Sequence, residues 1–530
     1  MSEKMIISES IPQTSFKAYL LQDRRNRLVL LIALAAVIIQ LAVFKYFYPY
    51  ASYIHGDSFV YIDIASKNSD INTYMVGYGR FLRLFSVFTT SDTILVVFQY
   101  MFIQSSALFL IFTVCYFYGL GKVTQLVLFV FMLLNPLFLY IGNLISSDGL
   151  FLGLSLYWFA LLLWTLHRPG MRIVWWLTFI LFVAFTVRYN ALIYPFITAV
   201  VIFISKLPVR KKVFSIAVGM LLCGLFVLYT ANRYKALTGI WQYSPFSGWL
   251  MANNAMYAYR YVDSATRKPV QPRFRQLDNM IRTYFDSSRD VKTHPVEGIM
   301  ASTAYMWSPD LTLSQYRNKQ FLNDTAASWL KRWASMGPFY KAYGLHIITQ
   351  YPLYYARYFL WPNANKYYAP PVEFLARYNS GYDEVSPETQ EWFGYKSTKV
   401  KTRTKDLRIT LLDFYPITSG IINVVMLCGL ICFALLNGFR MQIPYRKGIV
   451  LAGSIWMLNA GFTIFASSAA LRFQAFPLLL TSVFTFSLID YLWKIGKQQE
   501  ANAGNIIPNA AELQETALTT AVIKETFIQH

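Results

Sequence analysis

Ten long apolar runs separated by polar segments organise this chain. They lie at about 27–48, 93–117, 123–143, 149–166, 172–187, 190–206, 212–231, 416–438, 448–467 and 471–493. Most approach or exceed the ~18–20 residues that carry a helix across bilayer hydrocarbon. The fifth and sixth are short enough to form one kinked hairpin. The pattern predicts an all-α polytopic transmembrane protein of about ten transmembrane helices, seven within 27–231 and three within 416–493. Residues 1–26 form a short N-terminal segment, and the polar stretch 494–530 reads as a mostly disordered tail. The first run follows Arg24, Arg25 and Arg27, is too long for a signal-peptide core and lacks a small-residue cleavage site. No cleavable leader is predicted.

Lysines and arginines in the short loops set an orientation. Arg24, Arg25, Arg27, Lys122, Arg168, Arg172, Lys206, Arg210, Lys211, Lys212, Arg440, Arg446, Lys447, Lys494 and Lys497 fall on one side. On the other, Arg188 and Arg472 stand nearly alone among the short loops. With ten spans, both termini are expected in the cytoplasm of a cell (inner) membrane protein, and segments 49–92 and 232–415 outside. Composition agrees with this class: 55% of residues are hydrophobic and 14% charged, against about a quarter charged in soluble domains.

The net charge of +21 is partly this inside bias. Segment 232–415 is basic in its own right, with 24 Lys and Arg against 14 Asp and Glu. A basic surface beside a bilayer points to membrane lipid headgroups or a lipid phosphate, and nucleic acid is a poor partner for an outward-facing segment. All four cysteines, Cys115, Cys223, Cys428 and Cys432, fall inside apolar runs, so no disulfide framework or thiolate metal site is predicted.

Each outward segment carries helix signals. In 49–92, His55-Gly56-Asp57-Ser58 reads as a turn and helix start with Asp57 or Ser58 as N-cap. A short interfacial helix follows, with Asp63 on its solvated face, and an amphipathic piece runs from Tyr78 to Phe88. In 232–415, starts are expected at Ser244-Pro245, Ser308-Pro309-Asp310 and Gly337-Pro338. A break is expected at Pro352, and a loop-rich cover from Trp361 to about Tyr395. The aromatics fit an interfacial belt.

Chemistry is sought in charges at the outer ends of spans, where ionisable groups are costly. Asp57, Asp148 (in Ser146-Ser147-Asp148-Gly149), Arg188 (in Arg-Tyr-Asn) and Arg472 (in Leu-Arg-Phe-Gln-Ala-Phe-Pro) all fall on the outer side. Taken singly, the carboxylates could be helix caps and the arginines snorkelling anchors. Together they fit one reaction. A carboxylate at an apolar interface can act as general base on a hydroxyl, and arginines can hold a phosphate and stabilise it as a leaving group. The second carboxylate can orient the acceptor or ligate a divalent metal ion. His55 and His346 are lone histidines without a spaced partner.

The chain resembles the integral-membrane glycosyltransferases that use polyprenyl-phosphate sugars, the GT-C superfamily, in the branch of protein O-mannosyltransferases and lipid A aminoarabinose transferases. Gly56-Asp57-Ser58-Phe59-Val60-Tyr61-Ile62-Asp63-Ile64-Ala65 is similar to the family's first-loop motif. Asn135 to Tyr140 followed by Ser147 to Phe151 resembles its paired third and fourth helices, Arg188 to Leu192 with Pro195 its basic helix end, and Arg472-Phe473 with Pro477 its late Arg-aromatic motif. His346 to Tyr355 resembles a recurrent juxtamembrane helix with a central Pro. The likeness implies Asp57 as base, Asp148 as second acidic residue and Arg472 near the donor phosphate. Relatives often carry two adjacent acidic residues in the first loop, whereas Ser58 follows Asp57 here. The long outer insertion resembles no known module.

The resulting expectation is an inverting glycosyltransferase. Asp57 deprotonates an acceptor hydroxyl, Asp148 positions it, and Arg188 and Arg472 bind the phosphate of a polyprenyl-phosphate-linked sugar. Tyr61, Tyr189 and Asn190 are candidate substrate contacts, and any divalent metal would sit on Asp57 and Asp148. The acceptor (lipid, glycan or protein) is left open. Rival expectations are a polysaccharide polymerase or ligase using a lipid diphosphate and resting on external arginines, a transporter or flippase with charges deep in repeat-like spans, and a scaffold whose outer segment binds partners.

Overall fold

A computed structural model describes residues 14–287, 293, 300–404, 406–441 and 443–504. Helix accounts for 76% of the described residues, which contain no strand. The fold is that of a polytopic helical membrane protein. Among the described residues eight helices are long and apolar enough to cross a membrane: α1 (Arg24–Phe47), α4 (Asp92–Tyr118), α5 (Lys122–Gly142), α6 (Ser147–His167), α9 (Val209–Thr238), α12 (Tyr415–Leu435), α13 (Ile443–Ala466) and α14 (Leu471–Gly504). The fifth and sixth apolar runs form the shorter helices α7 (Met171–Val187) and α8 (Tyr189–Ile204). They are separated at Arg188, whose backbone is extended, and Pro195 follows a 3-10 turn over Tyr189–Ile193.

Burial sorts the spans. The apolar windows of α6 and α14 are 83% buried, whereas that of α1 is 17% buried. Thus α6 and α14 form the centre of the bundle. Large apolar side chains such as Leu31, Trp176, Phe196 and Leu435 point outward from its periphery, as a lipid-facing surface requires. The tail is helical further than its composition indicates, because α14 runs on to Gly504. Residues 505–530 of the expected disordered tail lie outside the described residues.

Segment 49–92 contains the helical hairpin α2 (Asp57–Lys67) and α3 (Gly77–Ser86). Gly79 faces Ile64 so closely that a Cβ would lie 2.4 Å from its side chain. Asp63 stays on the solvated side, paired with Lys67 at 2.6 Å.

Segment 232–415 divides between two cores. Residues from Tyr234 to Phe359 build a separate aromatic core, whereas Val372 to Leu412 pack onto the span bundle. The separate core is centred on α10 (Pro245–Tyr259) and α11 (Trp329–Gln350). Ser244 caps α10 as expected, accepting from Ser247 N–H. Gly337-Pro338 does not begin a helix: α11 starts at Ser328, and Pro338 lies inside it. A proline cannot donate to the carbonyl four residues back, and that carbonyl, of Ala334, instead accepts from Gln242 Nε2 at 3.0 Å. The helix after Ser308-Pro309-Asp310 begins only at Thr312, Ser308 closing the preceding turn. α11 ends at Gln350, before Pro352, as expected. The stretch Trp361–Tyr368 is helical rather than loop, and short 3-10 turns and the helix Pro387–Phe393 follow.

Candidate functional site

A backbone stitch brings the two acidic segments together. Ser52 N–H donates to Asn143 O at 2.9 Å, and Ile145 N–H donates to Ser52 O at 3.0 Å. Segment 49–92 is thereby fixed against the turn that opens α6. Gln99, buried in α4, reinforces that turn by donating to the carbonyls of Gly142 and Leu144, and Tyr78 OH donates to Gln99 in turn.

Asp57 is the first residue of α2, and Gly56 before it sits at φ +95°, a conformation that favours glycine. Neither expected N-cap role is realised. Ser58 Oγ accepts from Ile54 N–H, and the Asp57 carboxylate turns away from its own helix. Its Oδ1 accepts from Tyr74 OH at 2.6 Å, and its Oδ2 accepts from Arg472 Nη2 at 2.6 Å. Asp148, in the first turn of α6, is no cap either: Ser146 Oγ donates to its Oδ2 at 2.6 Å. That oxygen also accepts from Arg472 Nη1 at 3.2 Å, while Oδ1 pairs with Arg188. The four charges predicted on one side thus form a continuous chain, Asp57–Arg472–Asp148–Arg188. Arg472 is 6% exposed and Asp148 2% exposed, which removes the snorkelling reading for Arg472.

Both guanidiniums lie over one ring. Arg188 Cζ is 5.0 Å and Arg472 Cζ 4.4 Å from the centre of Phe473, and Phe374 covers Arg472 from 4.2 Å. Such stacking leaves the guanidinium edge free for hydrogen bonding. Arg472 Nε is buried without a protein partner, so this side chain keeps one unused donor after binding two carboxylates. The start of α14 that carries it is held by Leu471 N–H donating to Pro371 O at 2.9 Å. Asn363, fully buried, accepts from Ala469 N–H and donates to the carbonyls of Thr463, Ile464 and Ser467.

Three of the four charges, Asp57, Arg188 and Arg472, line a cavity of about 1280 Å³. Tyr61, Tyr189 and Asn190 line it too. Tyr61 OH hydrogen-bonds Ser147 Oγ at 2.9 Å, a second tie between α2 and α6, and Tyr189 stacks on Phe246 at 5.9 Å. Burial, then the Asp57 charge, push the Tyr74 phenol well above its ordinary value, so it remains a donor at physiological pH. Burial likewise raises Tyr61 and lowers the His55 imidazole. Phe473 was named in the sequence as the aromatic of the Arg472-Phe473 motif, whereas Tyr74 and Asn363 were not singled out. Asn363 alone had a signal, as a polar residue inside Trp361-Pro362-Asn363.

Among the described residues no group of three or more His, Cys, Asp and Glu converges. Asp57 and Asp148 both turn onto one guanidinium, which does not fit the oxygen-rich cage a divalent ion demands. What the arrangement can do is hold an oxyanion at Arg472 beside a carboxylate able to take a proton. No family model matches the chain, no curated protein matches it, and no solved structure matches it.

Proposed function

We propose that this chain is a GT-C-type inverting glycosyltransferase acting at the outer face of the cell (inner) membrane, with ten spans and both termini cytoplasmic. The observation that carries the reading is the charge chain Asp57–Arg472–Asp148–Arg188, three members of which line a large cavity.

The donor is a sugar on polyprenyl phosphate, its lipid tail lying between spans. Arg472, through its unused Nε–H and the Nη groups that the substrate draws from the carboxylates, binds the phosphate with Arg188. Asp57 accepts the proton of the acceptor hydroxyl. The acceptor oxygen bonds to the anomeric carbon on the face opposite the phosphate, the carbon–phosphate-oxygen bond breaks, and polyprenyl phosphate leaves with the electron pair. The phosphate is already a good leaving group, so no strong general acid is needed, in contrast to the two-carboxylate glycosidases. Asp148 keeps both arginines in place. Tyr74 holds the Asp57 carboxylate in one orientation.

The test is transfer from a polyprenyl-phosphate sugar by the full chain in proteoliposomes. Asp57→Asn is expected to lower the rate by about 10²–10⁴-fold, the usual worth of a general base, while Asp57→Glu retains part of it. Undiminished transfer by Asp57→Asn would sink the base assignment. Preference for a lipid-diphosphate donor would move the reading to a polymerase or ligase.

A further inference from the structure

Part of the wall of the same cavity is aromatic in an organised way. Trp307 and Trp329 both line it and are 36% and 46% exposed. Between them and the outer core sits Trp333, which is 1% exposed. Its ring is parallel to Trp307 within 3° at 6.4 Å, to Trp329 within 13° at 6.0 Å, and to buried Trp249 within 7° at 5.8 Å. The two open indoles are therefore near-parallel and rest on a rigid, buried stack. The Arg317 guanidinium, 5.9 and 6.0 Å from the Trp249 and Trp329 rings, braces that stack.

An interfacial belt would turn such rings toward lipid. These line the cavity that Asp57, Arg188 and Arg472 also line, and Tyr74 touches both groups. Its hydroxyl donates to Asp57 Oδ1 at 2.6 Å, and its ring lies 5.9 Å from Trp307. Ser302, Thr303, Asn254 and Lys341 line the same space. The cavity volume exceeds the ~300–1,000 Å³ of an ordinary small-molecule pocket, which gives room for two substrates.

We propose that Trp307 and Trp329 form an acceptor subsite for a pyranose ring, so that the acceptor in the transfer proposed above is a carbohydrate chain. The proposal rests on that transferase reading for its word "acceptor", and on the indole geometry for the ligand. A pyranose presents a face of polarised C–H bonds and an edge of hydroxyls. The C–H face packs on the electron-rich face of an indole, and the hydroxyl edge needs nearby hydrogen-bonding groups of the kind at Ser302, Thr303 and Asn254. A lipid chain would want no such polar lining. An extended peptide would want backbone partners, which a stack of indoles does not supply.

The experiment measures binding apart from transfer. Short mannose, glucose and N-acetylglucosamine oligosaccharides are added without donor to the detergent-solubilised full chain, and binding is read by saturation-transfer NMR and tryptophan fluorescence. Wild type is expected to bind at least one series. Trp307→Ala and Trp329→Ala should weaken binding at least tenfold, and Trp307→Phe and Trp329→Phe, which keep a flat ring, should restore most of it. In transfer assays the alanine variants should raise the acceptor KM with kcat little changed. Saccharide binding without transfer from any polyprenyl-phosphate donor would overturn the transferase reading while leaving the subsite. Transfer without saccharide binding would overturn the subsite alone, as would equal binding by the alanine variants. So would a Ser/Thr-rich peptide that perturbs the indoles where no oligosaccharide does.

Discussion

Arg472 Nη2 donates to Asp57 Oδ2 at 2.6 Å across 415 positions of sequence. The same guanidinium holds Asp148 at 3.2 Å, so one buried cation pairs with two carboxylates far apart in sequence, and Arg188 supplies the second positive charge. Removing one partner of a buried ion pair leaves an uncompensated charge and costs about 3–5 kcal/mol. Arg472→Met is therefore expected to lower thermal stability in detergent by about that amount and to abolish transfer. Asp148 still has Arg188, so the charge left unpaired is that of Asp57, and adding Asp57→Asn should recover part of the stability and none of the activity. A double variant that regained transfer would show that Arg472 is structural only.

Asn363 positions Arg472 through backbone alone. Its amide closes the end of α13 and fixes the turn into α14. Asn363→Leu leaves several buried polar groups without partners, at about 1–3 kcal/mol each. Beyond the drop in melting temperature, the donor KM should rise more than the acceptor KM. Equal rises in both would place the effect on general stability.

The outer core hinges on a backbone-to-backbone crossing. A Cβ at Gly248 of α10 would lie 1.9 Å from Gly337 O of α11, and one at Gly344 would lie 2.6 Å from the Met251 backbone. Forced repacking of this kind costs about 1–3 kcal/mol or more. Gly248→Ala is expected to expose the region 245–350 to protease first, with the span bundle still folded. The readout is limited proteolysis followed by mass spectrometry.

His55 gives the chain a pH response. Its ring stacks on Tyr382 at 4.3 Å and 14°, and burial holds its imidazole below the ordinary value. As pH falls, the unfolded chain takes up this proton first, near about 6.5. Stability is then unaffected by His55 above that pH, declines as pH drops through it, and levels off below the folded value. His55→Gln should flatten the decline between neutral and mildly acidic pH in melting curves. An unchanged slope would assign it to other groups.

Much of this was legible in the sequence, for reasons that also mark where reading stopped. Membrane spans announce themselves because hydrocarbon tolerates no unpaired backbone and few charges. For the same reason Asp57, Asp148, Arg188 and Arg472 stood out. The local signals at Ser244 and Pro352 held because they act on neighbouring residues. The start expected at Pro338 failed because its cost is met from outside the helix, by Gln242 on Ala334 O, 92 residues away. Nothing local marks Tyr74, one of 38 tyrosines, as the partner of Asp57. Nor can periodicity reveal that segment 232–415 divides its apolar residues between two cores, since the pattern records that a side chain is buried and not against what.

The stitch at Ser52 has a mechanical meaning. Because it joins the loop of Asp57 to the turn before Asp148, the two acids behave as one fixed jaw. Arg472 belongs to the opposing jaw, anchored separately through Pro371 and Asn363. Its two ion pairs act as a latch across the gap, which in the proposed reaction the donor phosphate would unfasten by competing for the guanidinium.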